Sequence, residues 1–268
     1  MLWTSNSHEL SGKTIVIDLS YLIHRSYKTA GNPEPYPHED SASNITMKTI
    51  NRLERELEPV KTVVALEHGY KHRSNIIEGY KDRGDKDEML VSEIDIAIRL
   101  AIQHGCEAAY AEDLEADDVM ATLGMQLGHN CLLITADKDL HQMIGFCHVM
   151  DPYQMVPVTE EGVLERWGVL PHQLGDMLAL NGDTADHIPG VPGIGPKTAA
   201  KMLKEHRTLH GVLSVAEKMA EEKGTKAWKA VLENQKQARD SRSVVQLITN
   251  ADVKTATVAD LPWSKRKK

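Results

Sequence analysis

"KTIVIDL", Lys13–Leu19, is a short run of β-branched and apolar side chains that holds an acid, Asp18, near its end. Such a run, with no polar alternation, suits a strand covered on both faces, as in a parallel sheet lying between helices. "KTVVAL" (Lys61–Leu66, followed by Glu67) and "NCLLITA" (Asn130–Ala136, followed by Asp137 and Asp139) repeat the pattern. "CEAAY" (106–110) and "FCHVM" (146–150) are weaker strand candidates. Helical spacing over 42–57, 89–103 and 116–127 separates the strands. Strand alternating with helix predicts an α/β fold with a mostly parallel sheet flanked by helices.

Beyond Met150 the texture changes. "DPYQMVPVTEEG" is rich in turn residues, Thr159 is placed to cap a helix, Gly168 to stop it, and Pro171 to open the next. From there to about Leu247 the chain reads as helices and turns. The expected division is therefore an α/β core over 1–150 and a helical part over 151–268. The glycines of "EGYKDRGDKDEM" (78–89) argue against a continuous helix there.

A chain of 268 residues can bury one large core or two modest ones. No apolar run is long enough to span a bilayer and no signal-peptide pattern opens the sequence, so neither a membrane partner nor export is expected. The three cysteines form no CxxC pair, and Cys131 and Cys147 lie in apolar stretches; buried free thiols in a reducing cytoplasm are expected. The net charge of −8 weighs against a nucleic-acid partner, unless the acid is concentrated in one place and basic surface lies elsewhere.

The acids are so concentrated. Asp18, Glu67, and the pair Asp137 and Asp139 mark the ends of three separate strand candidates, and in a parallel sheet ligands bind at the carboxyl ends of strands. Any one of them alone reads better as a turn or cap residue. Glu115, Asp117 and Asp118 open a helix, and three acids in four residues exceed what capping needs. Crowded carboxylates resist ionising unless a cation holds them. An all-oxygen ligand set selects a hard cation, Mg²⁺ or Mn²⁺, and paired ions of this kind hydrolyse phosphodiesters. No HxH, HExxH or Cys cluster competes.

"LNGDTADHIPGVPGIGPKTAAKML", Leu180–Leu203, adds Asp183 and Asp186 and then a glycine turn. "GVPGIGPKT" misses the phosphate-binding loop GxxxxGK[ST] because Pro196 stands where Lys is required, and no strand leads into it. Gly190, Gly193 and Gly195 instead suit a tight turn, and Pro196 suits a helix start. Amides at that start, with Lys197, Thr198 and Lys201, suit a phosphate held without base readout. The plainer alternative is a Gly/Pro connector between helices.

"VIDLSYLIHRSY", "EGYKDR", "EADDVMATL", "TADKDLHQM" and above all "LNGDTADHIPGVPGIGPKTAAKML" together resemble the 5′-nuclease family. That family comprises flap endonucleases, phage 5′-3′ exonucleases and the 5′-nuclease domain of bacterial DNA polymerase I. The likeness runs from about Lys13 to Leu247, and with no polymerase portion the chain resembles the stand-alone members. The resemblance implies a PIN-like core, a gateway segment over about 71–104 and a helix-three-turn-helix over about 174–206. It implies two divalent cations on Asp18, Glu67, Glu115, Asp117, Asp118, Asp137, Asp139, Asp183 and Asp186, and a K⁺ ion at the turn 190–197. It also implies that Lys81 positions the scissile phosphate, that Tyr80 stacks on a base, and that Arg25 and Arg83 serve as further cations. Glu67 stands where the family usually has Asp, Arg83 one place nearer to Lys81 than usual, and His187 where Asn is common.

The expected function is divalent-metal-dependent hydrolysis of DNA at 5′ flaps and free 5′ ends, by a monomer in the cytoplasm of a bacterium or a phage-infected host. Two rivals stand beside it. A PIN-like ribonuclease would share the acids but lack the glycine turn. A DNA-binding module with a decayed site finds its only support in Glu67.

Overall fold

β1 (Thr14–Asp18) is buried at every residue, as a run apolar on both faces must be. The computed structural model describes residues 10–29, 35–81 and 87–263. The chain forms two units: Met1–Tyr70, Gly84–Pro157 and Leu247–Lys268 make one, and Lys71–Arg83 with Val158–Gln246 makes the other.

The first unit is built on a sheet of six strands in the order β5-β4-β1-β2-β3-β6. β2 is Lys61–Ala65, β3 Glu107–Tyr110, β4 Cys131–Ile134, β5 His148–Met150 and β6 Lys254–Ala256. All neighbours are parallel except β6, which runs antiparallel to β3. Ile15, Ile17, Leu132 and Ile134 share a core with side chains of α1 (Leu19–Thr29), α2 (Ala42–Leu57) and α3 (Glu88–His104). The alternate residues face the other way. A Cβ built on Gly124 of α4 (Ala116–Leu127) would press on Cys147 and touch Leu133, so α4 covers the opposite face. All three cysteines are buried and free, and burial pushes the Cys106 thiol up to about 12.

The second unit is helical. After a single turn, Lys71–Ser74, it comprises α5 (Glu160–Trp167), α6 (Leu174–Asn181), α7 (Pro196–His206), α8 (Leu209–Ser214), α9 (Ala216–Lys223), α10 (Lys226–Glu233) and α11 (Gln235–Val245). Thr159 caps α5 and Gly168 ends it in the left-handed region. α6 is the hub, buried from Leu174 to Leu180. Its Asp176 accepts from the Leu209 amide (2.8 Å) and the Arg242 Nε (2.5 Å), tying α8 and α11 to it. Among the described residues no helix is long and apolar enough to cross a membrane.

These units do not follow a single cut at residue 150. Residues beyond Gln246 return to the sheet unit because β6 pairs with β3, a three-residue strand too short to announce itself by pattern. Residues 71–83 belong to the helical unit, where the Arg73 guanidinium donates to the carbonyls of Val244 (2.7 Å) and Gln246 (3.1 Å).

Candidate functional site

In the sheet unit, acids meet at the carboxyl ends of β1, β2 and β4. Asp18 is 5% exposed. Its Oδ1 accepts from the Tyr21 amide (2.8 Å) and its Oδ2 from the Thr135 hydroxyl (3.2 Å). Thr135 Oγ1 accepts from the Asp137 amide (3.0 Å), and Asp137 Oδ1 from the Asp139 amide (2.9 Å). A single hydrogen-bonded ladder therefore joins Asp18, Asp137 and Asp139. The Asp18 carboxyl is pushed up to about 6, chiefly by burial and then by the charges of Asp137 and Glu67, against those two hydrogen bonds. Lys138 lies 3.6 Å from Asp139 Oδ1.

The acids at the start of α4 divide. Glu115 is buried and Asp117 half-buried. Asp118 is fully buried and accepts from two backbone amides, Glu115 (3.4 Å) at Oδ2 and Ile248 (2.9 Å) at Oδ1. It closes the helix start and pins the returning C-terminal segment. Arg25, two turns along α1, lies over the Tyr153 ring at 4.3 Å.

In the helical unit, Asp183 and Asp186 are both 9% exposed. Asp183 and Ile188 exchange two backbone hydrogen bonds of 2.8 Å, and Asp183 Oδ1 accepts from the Ala185 amide (3.0 Å). Lys81 Nζ is 3.9 Å from Asp186 Oδ2. Tyr80 is 5% exposed, so its ring is packed away, with Lys81 Nζ 5.5 Å from its centroid, and is not offered to a base as expected. Arg83 lies outside the described residues.

The glycine turn is a close backbone crossing. Gly182 and Gly190 both have positive φ (79° and 60°), and a Cβ on Gly190 would collide with the Gly182 backbone. Val191 and Ile194 anchor the turn inward, while Gly193, Gly195, Lys197 and Lys201 are exposed and Thr198 is half-buried. Gly195 brings no side chain to cap α7, so that helix start is suited to an outside acceptor.

Sequence reasoning missed three supports. Thr135 links Asp18 to Asp137; its place two residues before Asp137 was a usable signal. Trp263 donates its indole N–H to the Glu67 carbonyl (2.9 Å), and Gln237 donates to the Gly190 carbonyl (2.5 Å). Both reach across long sequence separations and leave no local mark.

Residues 13–168 match the family model of the 5′-3′ exonuclease N-terminal resolvase-like domain, and residues 169–268 that of the 5′-3′ exonuclease C-terminal SAM fold. The DNA polymerase I of Rhizobium leguminosarum is 33% identical over 183 residues, which are 66% of this chain and 18% of the polymerase. A 5′-3′ exonuclease of Buchnera aphidicola subsp. Schizaphis graminum is 30% identical over 213 residues, 76% of this chain and 74% of that protein. The fold matches a flap endonuclease of bacteriophage T5, solved in complex with DNA and metal ions, with a TM-score of 0.72 at 18% identity over 88% of this chain and 89% of that one. Both parts of the family pattern are present in order, from residue 13 to residue 268, and the chain belongs to the 5′-3′ exonuclease family.

Proposed function

We propose that this chain is a divalent-metal-dependent 5′-nuclease that cuts DNA at 5′ flaps and shortens free 5′ ends. The observation that carries this reading is the ladder Asp18–Thr135–Asp137–Asp139, where a buried carboxyl is driven up to about 6 by burial and its acidic neighbours. Acids held together against their own repulsion fit a hard cation, and the side chains of this ladder offer only oxygen. Asp18, Glu67, Glu115, Asp117, Asp118, Asp137 and Asp139 are the ligand candidates of the sheet unit for divalent ions, Mg²⁺ or Mn²⁺; Asp183 and Asp186 are the candidates of the helical unit. When bound, such ions lower the pKa of water and neutralise charge on the phosphate and leaving oxygen.

The protein's own groups do the rest. Thr135 and the Tyr21 amide, one on each oxygen, hold the Asp18 carboxylate in a fixed orientation. The Lys81 ammonium offsets charge on the reacting phosphate. Arg25 presents a second cation, with Arg83 a further candidate. Gly193, Gly195, Lys197, Thr198 and Lys201 hold the phosphates of a duplex through amides and charge, without reading bases. Backbone oxygens of the turn 190–197 suit K⁺. The protein works as a monomer in the cytoplasm.

A 5′-labelled flap DNA with and without Mg²⁺ tests this. Wild type should cut only with the metal. Asp139→Asn should lower the rate about a thousandfold while uncut DNA still binds in Ca²⁺, and Lys81→Ala should lower turnover about a hundredfold with little change in affinity. Cleavage in EDTA, or cleavage of RNA in preference to DNA, would sink the reading.

A further inference from the structure

Lys81 sits at φ 49°, in the left-handed region that a non-glycine side chain holds only when its surroundings impose it. Three contacts from the Asp183–Ile188 loop impose it, all inside the helical unit. The Lys81 amide donates to the Asp186 carbonyl (3.3 Å). Its ammonium lies 3.9 Å from the Asp186 carboxylate. Two residues earlier, the Gly79 carbonyl pairs with Nδ1 of His187 at 3.1 Å. A carbonyl only accepts, so Nδ1 carries the proton. His187 itself is left-handed, at φ 57°.

We infer that His187 is a positioning residue: its imidazole latches the Gly79–Lys81 segment to the Asp183–Ile188 loop and so aims the Lys81 ammonium. The inference rests on the reading of Lys81 as the cation at the reacting phosphate. The latch does not depend on the ion pair. A carboxylate that holds a divalent cation has less charge left for a lysine, so in the loaded enzyme Asp186 would grip Lys81 less, whereas the bond from His187 to Gly79 uses no carboxylate that a cation would claim. The loop that presents His187 is itself stiff, through the exchanged Asp183–Ile188 bonds and the close crossing of Gly182 and Gly190. Displacing a charge from a reacting group by about 1 Å reduces rate by up to about a hundredfold.

Two substitutions separate the latch from the backbone. Asn and Gly both accept a left-handed φ. Asn carries an N–H at the same number of bonds from Cβ as His Nδ1, while Gly carries none. In single-turnover cleavage of a 5′-flap DNA, His187→Gly should be slower by about tenfold to a hundredfold, and His187→Asn should stay within about threefold of wild type. Affinity for uncut flap in Ca²⁺ should change by less than about twofold in both. Amide hydrogen exchange of the peptide containing Lys81, without DNA or metal, should speed up in His187→Gly and not in His187→Asn. The latch is overturned if His187→Gly cleaves like wild type, if His187→Asn falls with it, or if exchange at Lys81 is the same in all three proteins. If wild type cuts no DNA, the nuclease reading falls, and the exchange measurement alone still decides whether the latch exists.

Discussion

At the carboxyl end of the sheet, Asp18, Glu67 and Asp137 mark the ends of three strands, and the hydroxyl bond that links two of them spans 117 residues of chain. In the helical unit, Asp183 and Asp186 sit within one loop that closes on itself through the Asp183–Ile188 bonds. The first arrangement is electrostatically uncomfortable: burial and like charge raise Asp18 to about 6. The second is sterically tight, because two glycine backbones cross where no Cβ fits. One region stores its tension in charge, which a cation can relieve; the other stores it in packing, which sets the shape of a turn whatever is bound.

The largest expected effect probes the steric side. Gly190→Ala should destabilise the protein by about 4 kcal/mol or more, since it adds a left-handed penalty to a backbone collision. Gly193→Ala has φ 78° but no atom within 4 Å of its Cβ, so only the conformational penalty of about 1–2 kcal/mol applies. Thermal melting of the two variants gives the difference directly. Equal losses would mean that the Gly182–Gly190 crossing does not shape the turn.

Next comes the electrostatic side. Asp18 binds its proton more tightly when folded (about 6) than its ordinary value of 3.8, so between those values the native state holds a proton that the unfolded chain has released. Stability of the metal-free protein therefore falls as pH rises through this window, and the full penalty stands above about pH 6. Asp18→Asn keeps an acceptor for the Tyr21 amide and removes the charge. It should leave metal-free stability unchanged below about pH 4 and raise it by up to about 3 kcal/mol above pH 6. Denaturant melts at pH 4 and pH 7 would show the gain; a loss at pH 7 would mean that the Asp18 charge is well solvated and the contrast between the regions is false.

The smallest effect concerns the exposed face of the turn. Lys197→Ala should weaken duplex binding by about 1 kcal/mol at low salt and reduce the slope of log K against log salt by about one, with the melting temperature unchanged. An unchanged salt slope would put the duplex elsewhere.

Strand cores, helices and caps were legible because their signals are local. α2 and α4 fall on the residues that hydrophobic spacing marked, Thr159 and Gly168 bound α5, and Pro196 opens α7. The glycine turn and the acids at strand ends were legible for the same reason: each is a few consecutive residues with one conformational demand. What the sequence by itself determined is thus the α/β order, the helical part, and the list of acids and glycines from which a site could be drawn.

Only the tertiary structure decided which distant groups they meet. Asp118 braces a helix start and the segment at Ile248, Tyr80 is packed inside, β6 returns to the sheet edge, and Gln237 holds a carbonyl 47 residues away. Asp118, β6 and Gln237 each depend on a partner far along the chain. A side chain's type fixes what it can donate, accept or bury, but which backbone group meets it is set by how distant elements pack, and local spacing holds no record of that.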